Sequence, residues 1–186
     1  MSKSRIPQRV RVYLGCEGQS EQSYGKCLNE LADAAELHLF LDCDVLEGGD
    51  PLSLVELAVR RLHEKVLKRG AFAHRAILLD ADRLGGNPER DAQILHLAQK
   101  HRVRLIWQHP CHEGFLLRHF AQQETMRPQN ADLAMQALSR LWPEYRKGAP
   151  ANELALRIDR NAIRRATAVE PELRAFLVLI GLANEP

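Results

Sequence analysis

The sequence predicts an α/β fold: a central parallel sheet of about four strands flanked by helices, followed by a helical C-terminal portion. Three observations predict it. Strand-like and helix-like segments alternate four times as far as Trp107. The segments at 76–79 and 103–107 run apolar rather than alternating, the pattern of parallel strands covered on both faces. Beyond Cys111 only helical periods appear, so the remaining chain must pack as helices on that sheet.

Residues 9–16 form the first predicted strand, with Val10, Val12, Leu14 and Cys16 alternating against Arg11, Tyr13 and Gly15. Ser20 is placed to cap a helix over 21–36, because a Ser hydroxyl accepts from the free amides of a first turn. A second strand is predicted over 37–46, and Gly48-Gly49-Asp50-Pro51 is turn chemistry that opens a new element. From 52 to 69 the apolar positions Leu52, Val55, Val59, Leu62 and Val66 step by three and four, which predicts an amphipathic helix. Gly70 ends it. The third strand, 74–79, runs into Asp80-Ala81-Asp82, and a loop holding Gly85-Gly86-Asn87-Pro88 leads to a helix over 89–100. The fourth strand is 103–107, and helices follow over 113–122, 131–142, 153–167 and 172–182. One domain over 1–186 is expected, with the α/β core in 1–122 and a helical extension in 123–186.

Composition narrows the function classes. The 186 residues suffice for one domain with a real core. Hydrophobic residues make up 45% and charged residues 27%, ordinary for a soluble globular protein. The net charge of +2 means that any affinity for nucleic acid must come from local patches. No apolar stretch approaches the roughly 20 residues of a membrane span, so no membrane partner is expected. The opening MSKSRIPQRV lacks the apolar centre of a signal peptide. Four scattered cysteines without a C-x-x-C pair read as reduced thiols, so a cytoplasmic location is expected.

In open parallel sheets, ligands sit beyond the carboxyl ends of the strands. Glu17 follows the first strand, Asp80 and Asp82 the third, and Glu113 lies past the fourth, while Glu21 comes early in the first helix. Two like charges about 4 Å apart repel by roughly 4 kcal/mol at an effective dielectric near 20. Either one acid holds a proton or a cation sits among them. An all-oxygen set suits a hard ion, Mg²⁺ or Mn²⁺, rather than zinc.

These residues carry a resemblance. EG after the first strand with D-x-D after the third resembles the Toprim domain of topoisomerases, bacterial primases and the overcoming-lysogenization-defect (OLD) nucleases. More specifically, CEGQSEQSY resembles the EG-x-T-E-x-x-Y opening of the RloB-like family, and GGDPLSLVELA, ILLDADR, HPCHEGFLLRHF and EYRKG follow in that family's order. The resemblance implies a Toprim-like fold, and a nuclease associated with restriction and anti-phage defence loci. It implies that Glu17 is the general acid/base or metal-binding glutamate, with Asp80 and Asp82 as the metal-binding pair. Glu21 and Glu113 would complete the acidic set. The chain departs from the family pattern at His109, where Asn is usual, at His112, where Phe is usual, and near Gly114, where Trp is expected.

The run HEGFLLRH does not suit zinc, since His112 and His119 stand seven apart, about 10 Å along a helix axis. His109, Cys111 and His112 read as loop residues, although either His could donate a proton near neutrality. Arg157, Arg160 and Arg164 step by three and four and are expected on one helix face, with Arg146 and Lys147 nearby. Lys147 and the three arginines are the expected substrate-binding residues, holding a phosphate backbone. Aromatics are only 5% of the chain, too few for a base-stacking platform.

The function expected is that of a Mg²⁺- or Mn²⁺-dependent endonuclease acting on DNA, tRNA or another RNA, with Glu17, Asp80 and Asp82 catalytic. The alternative is a Toprim-fold metal- or nucleotide-binding sensor or scaffold with a defence-system protein as partner. The oligomeric state is left open.

Overall fold

The computed structural model describes residues 8–47 and 49–184. Gly48 of the expected turn, residues 1–7 and residues 185–186 lie outside the described residues. The sheet has four parallel strands: β1 (Val10–Cys16), β2 (Leu39–Val45), β3 (His74–Asp80) and β4 (Arg104–Gln108), in the order β2-β1-β3-β4. Between them run α1 (Gln19–Ala34), α2 (Pro51–Arg69) and α3 (Pro88–Lys100). The C-terminal portion holds α4 (His112–Leu117), α5 (Ala131–Leu141), α6 (Ala151–Ala155), α7 (Arg160–Val169) and α8 (Pro171–Leu179).

The sheet is covered on both faces, as the apolar runs require. On one side Val12, Leu14, Ala76, Leu78 and Ile106 pack under α1 and the C-terminal helices. On the other side Tyr13, Ile77 and Leu79 pack under α2 and α3 through Leu54, Val55, Leu62 and Ile94. Of the residues of β1 read from sequence as alternating with the apolar set, Tyr13 and Gly15 are therefore buried as well, and Arg11 is half-buried. Helix α1 lies so close to the sheet that a Cβ on Gly25 would stand 2.6 Å from Cys43 Sγ and 2.8 Å from Leu14 Cδ2. Only glycine fits there.

From β1 the chain passes outward to β2, then crosses back to β3 on the other side of β1. The direction of winding therefore reverses between β1 and β3, and a crevice opens at their carboxyl ends. The outer edge of β2 is engaged by α1: Asn29 Nδ2 donates to Leu41 O at 2.9 Å, and Leu41 N–H donates to Asn29 Oδ1 at 2.8 Å. Gln22 Nε2 donates to Cys43 O at 3.3 Å. These side chains occupy backbone groups that an edge strand otherwise offers to another chain.

Three local expectations are corrected. The cap of α1 is Gly18, not Ser20: Glu21 reaches back to accept the Gly18 N–H at 2.9 Å, the carboxylate half of a capping box. The expected helix over 153–167 is broken into α6 and α7, because the Asp159 side chain accepts the Ala162 N–H at 2.7 Å and starts a new helix. The helix expected over 113–122 ends at Leu117, and Arg118, His119 and Phe120 donate to carbonyls three residues back.

Candidate active site: a carboxylate cluster at the switch point

Glu17 and Asp80 meet where the winding reverses. Glu17 directly follows β1 and Asp80 ends β3, and these strands pair in parallel with Cys16 opposite Leu78. Glu17 Oε2 accepts the Asp80 N–H at 2.9 Å, which holds one carboxylate oxygen in place. The end of β3 is tied to β4 by Ala81 N–H, which donates to Gln108 O and Pro110 O at 3.0 and 3.2 Å. Asp82 stands exposed in the loop that follows.

Two more acids reach the same edge from helix starts. Glu21, buried in the first turn of α1, places Oε1 3.5 Å from His112 Nδ1. That nitrogen also lies 2.9 Å from Gln108 Nε2, while His112 Nε2 is buried without a partner. Glu113 in the first turn of α4 is 2% exposed. Its Oε1 accepts from Tyr145 OH at 3.2 Å, its Oε2 accepts from Cys111 Sγ at 3.3 Å, and Lys147 Nζ stands 3.9 Å from Oε2. Tyr145 and Lys147 arrive together on the segment between α5 and α6. That segment is fastened to α1 by Gly148 N–H, which donates to Ser20 Oγ at 3.0 Å. Ser20 thus has a use that its helix-start position alone did not reveal.

Electrostatics mark Asp80 as the centre. Burial, then Glu21, Glu17, Glu113 and Asp82, push its carboxyl up to about 8. Asp80 Oδ1 is buried and accepts no hydrogen bond. The Glu17 carboxyl is also raised, first by burial and further by Glu21 and Asp82, against the opposing hydrogen bond from Asp80 N–H. The Tyr145 phenol is raised by burial and then by Glu113, so it stays protonated and donates. The Cys111 thiol is pushed up to about 12, chiefly by burial, which makes it a donor to Glu113 rather than a nucleophile.

A hard cation suits this donor set: the groups are carboxylates, and one buried oxygen lacks a donor. Among the described residues, no three His, Cys, Asp or Glu side chains form a preassembled cage. Closing on an ion therefore requires rotamer changes at the acids. Nothing in the fold opposes this at Asp82, which is exposed.

The histidines resolve into packing. His119 is 1% exposed, 3.0 Å from Tyr24 OH, and burial holds its imidazole down to about 3. His112, Phe115 and His119 surround the Tyr24 ring. HEGFLLRH is a core segment whose only outlet to the acids is through His112 and Glu113. His109 is exposed, and its imidazole is lowered by partial burial and by Arg118. Gly114, where the family expects a bulky residue, is required here: a Cβ would meet Pro110 Cδ at 2.6 Å and His109 O at 2.8 Å. We expect Gly114→Ala to lose about 1–3 kcal/mol in chemical denaturation, the usual cost of overpacking. A melting curve that matches the parent would show that the 109–110 backbone yields freely.

The expected basic face is divided. Arg157 lies outside α7, 6.0 Å over the Trp142 ring and 3.9 Å from Glu144. Arg160 and Arg164 share α7 and line a separate cavity with Arg174. Arg146 pairs with Glu153 at 2.8 Å. Of the basic residues named from sequence, Lys147 is the one placed beside the acids. Sequence reading passed over Tyr145 and Gln108, and took Cys111 for a loop residue. EYRKG was noted as a motif, and its Tyr could have been suspected from its place beside Lys147.

No helix among the described residues is long and apolar enough to cross a membrane. No curated protein and no solved structure matches the chain. The family model described as RloB-like protein matches residues 12–175, a span that takes in all five acids together with Tyr145 and Lys147. By that match the chain belongs to the RloB-like family.

Proposed function

We propose that this protein is a Mg²⁺- or Mn²⁺-dependent endonuclease of Toprim type that hydrolyses phosphodiester bonds in DNA or RNA. The observation that carries the reading is Asp80. Its buried oxygen has no donor, and four other acids press on it at the switch point. Asp80 and Asp82 would hold the ion with Glu17, and Glu21 and Glu113 would complete a second position or orient water. Bound there, such an ion supplies Lewis-acid polarisation of the phosphoryl group and a nucleophile at neutral pH.

The chain's own residues have separable tasks in this reading. Glu17 keeps Oε2 on the Asp80 amide, which leaves Oε1 to take a proton from attacking water. Tyr145 and Cys111 hold Glu113 by both oxygens, so this acid enters the site with a set orientation. Lys147, two-thirds exposed, is positioned to meet a substrate phosphate and balance charge at the edge of the cluster. Arg157, Arg160 and Arg164 would contact nucleic acid farther from the bond that breaks.

The test is cleavage by the purified protein. We expect plasmid DNA or total tRNA to be cut with Mg²⁺ or Mn²⁺ and spared in EDTA, and Glu17→Gln to cut at least about 100-fold more slowly. If the parent cuts neither polymer with either ion, the endonuclease reading is lost. The alternative is a metal- or nucleotide-sensing module working with a defence-system protein, in which the same acids would hold an ion without cutting. In that case the ion raises the melting temperature of the parent without any cleavage.

A further inference from the structure

A second feature of the molecule lies away from the acids. Between α7 and the turn after α8 is a cavity of about 440 Å³ lined by Arg160, Arg164 and Arg174 with Ile163, Leu182 and Asn184. That volume falls in the roughly 300–1,000 Å³ range of small-molecule sites. Among the described residues its lining contains no carboxylate. The Arg160 and Arg164 side chains are exposed, and neither guanidinium has a hydrogen-bond or ion-pair partner among the described residues. Arg174 is fixed by backbone alone: its Nε donates to Thr167 O at 2.8 Å, and its Nη2 donates to Ala168 O at 3.4 Å.

Exposed arginines without a carboxylate partner among the described residues occur elsewhere, as at Arg60 and Arg102, but Arg160, Arg164 and Arg174 line one cavity together. Arg9, Arg61, Arg90, Arg118, Arg127, Arg146 and Arg157 all have a carboxylate within 4 Å. Three guanidinium groups share one concavity in which no described residue supplies an acid, and an oxyanion is the group that compensates them. A phosphate accepts paired N–H donors from each fork. The apolar wall of Ile163 and Leu182 suits the sugar or base that a phosphate carries.

Position separates this cavity from the acids. Gly181, in its lining, packs 3.6 Å from Leu37 Cδ2 when its Cβ is built, and Leu37 precedes β2 at the amino end of the sheet. The acids stand at the carboxyl end, about one strand length away, roughly 20 Å at 3.3 Å per residue. A ligand in the cavity therefore does not share a phosphate with the carboxylate cluster.

We propose that Arg160, Arg164 and Arg174 form a distinct site for the phosphate of a nucleotide-sized ligand. That ligand is either a free nucleotide or the phosphorylated end of a nucleic-acid strand. The site does not depend on metal or on the chemistry assigned to the acids.

The experiment is fluorescence anisotropy in EDTA at low salt with two probes: labelled ATP, and a labelled oligonucleotide with or without a 5′-phosphate. The parent is expected to bind at least one phosphorylated probe. Arg160→Gln with Arg164→Gln is expected to weaken that binding by about tenfold or more, with an unchanged melting curve. Arg60→Gln, exposed on α2 and outside the cavity, is expected to bind as the parent does. Arg174 is left intact because it ties α8 to α7. Binding of ATP identifies a free nucleotide as the ligand, and binding of the 5′-phosphorylated oligonucleotide alone identifies a strand end. If the parent binds no phosphate probe, or the double variant binds as tightly as the parent, the site is refuted. The assay runs in EDTA and reads phosphate binding rather than cleavage, so failure here leaves the cleavage reading untouched.

Discussion

Asp80→Asn is expected to melt higher than the parent in metal-free buffer at pH 8 and to lose nuclease activity by orders of magnitude. Both effects follow from one carboxyl. In the folded protein it is pushed from its ordinary 3.8 up to about 8, by burial first and then by Glu21, Glu17, Glu113 and Asp82. Below pH 3.8 the folded and unfolded states both hold the proton, and Asp80 carries no penalty. Between those values the folded state keeps a proton that the unfolded state has released. Stability therefore falls as pH rises through this window, and above about pH 8 the full penalty is present. Asn removes it, by an amount on the order of a few kcal/mol at pH 8 and almost nothing near pH 4. Melting curves at the two pH values, run in EDTA, measure the difference. An Asn variant no more stable than the parent at pH 8 would mean that Asp80 is not held in a repulsive field.

The activity arm uses the same protein. Asn keeps the shape but removes a charge that the proposed ion would need. With Mn²⁺ added, the parent is expected to gain melting temperature and the variant to gain much less. A stable Asp80→Asn protein that cuts as well as the parent ends the mechanism proposed for the acids. If neither protein cuts and only the parent responds to Mn²⁺, the sensing module becomes the better reading.

Glu170→Leu is expected to cost about 3–5 kcal/mol, the usual penalty for orphaning a buried charge. Arg118 is 0% exposed, and its Nε lies 2.5 Å from Glu170 Oε1. Burial lowers the Arg118 guanidinium and raises the Glu170 carboxyl, although each partner pulls the other way. Desolvation outweighs attraction at both. The pair is therefore costly to break rather than a large source of net stability. Arg118 Nη1 also donates to Gly114 O, so the pair holds the backbone beside Glu113. The double variant Arg118→Met/Glu170→Leu is expected to recover most of the loss, because no unpaired charge remains. Urea denaturation of both variants decides it. A single variant within about 1 kcal/mol of the parent would show that water reaches the pair.

Much of this protein was legible from local pattern. Strand and helix periods are properties of neighbouring residues, so the alternation through Trp107 and the apolar runs at β3 and β4 were enough for a parallel α/β sheet. The strand-end rule then put Glu17, Asp80 and Glu113 at one edge before any coordinates. Local competition was less legible. Asp159 takes an amide from a helix that periodicity alone would continue, and the first helix starts at Gly18, whose N–H Glu21 accepts, while Ser20 Oγ accepts from Gly148. Propensity does not decide such contests, since both outcomes use the same residues in different hydrogen bonds.

What only the tertiary structure decided is which distant residues meet. The acids come together because β1 and β3 are neighbours although β2 lies between them in sequence. Tyr145 and Lys147 reach Glu113 across more than thirty residues, carried by a segment that Ser20 fastens from the first helix. The arginines expected on one face were parted by the turn at Leu156–Asp159, which sends Arg157 to Trp142 and Arg160 and Arg164 to a cavity of their own. The sequence by itself determined the layers, the order of elements and the edge at which acids gather, because short-range periodicity encodes them. Partner choice among buried polar groups waited on packing, because a hydrogen bond across the fold depends on where whole elements come to rest.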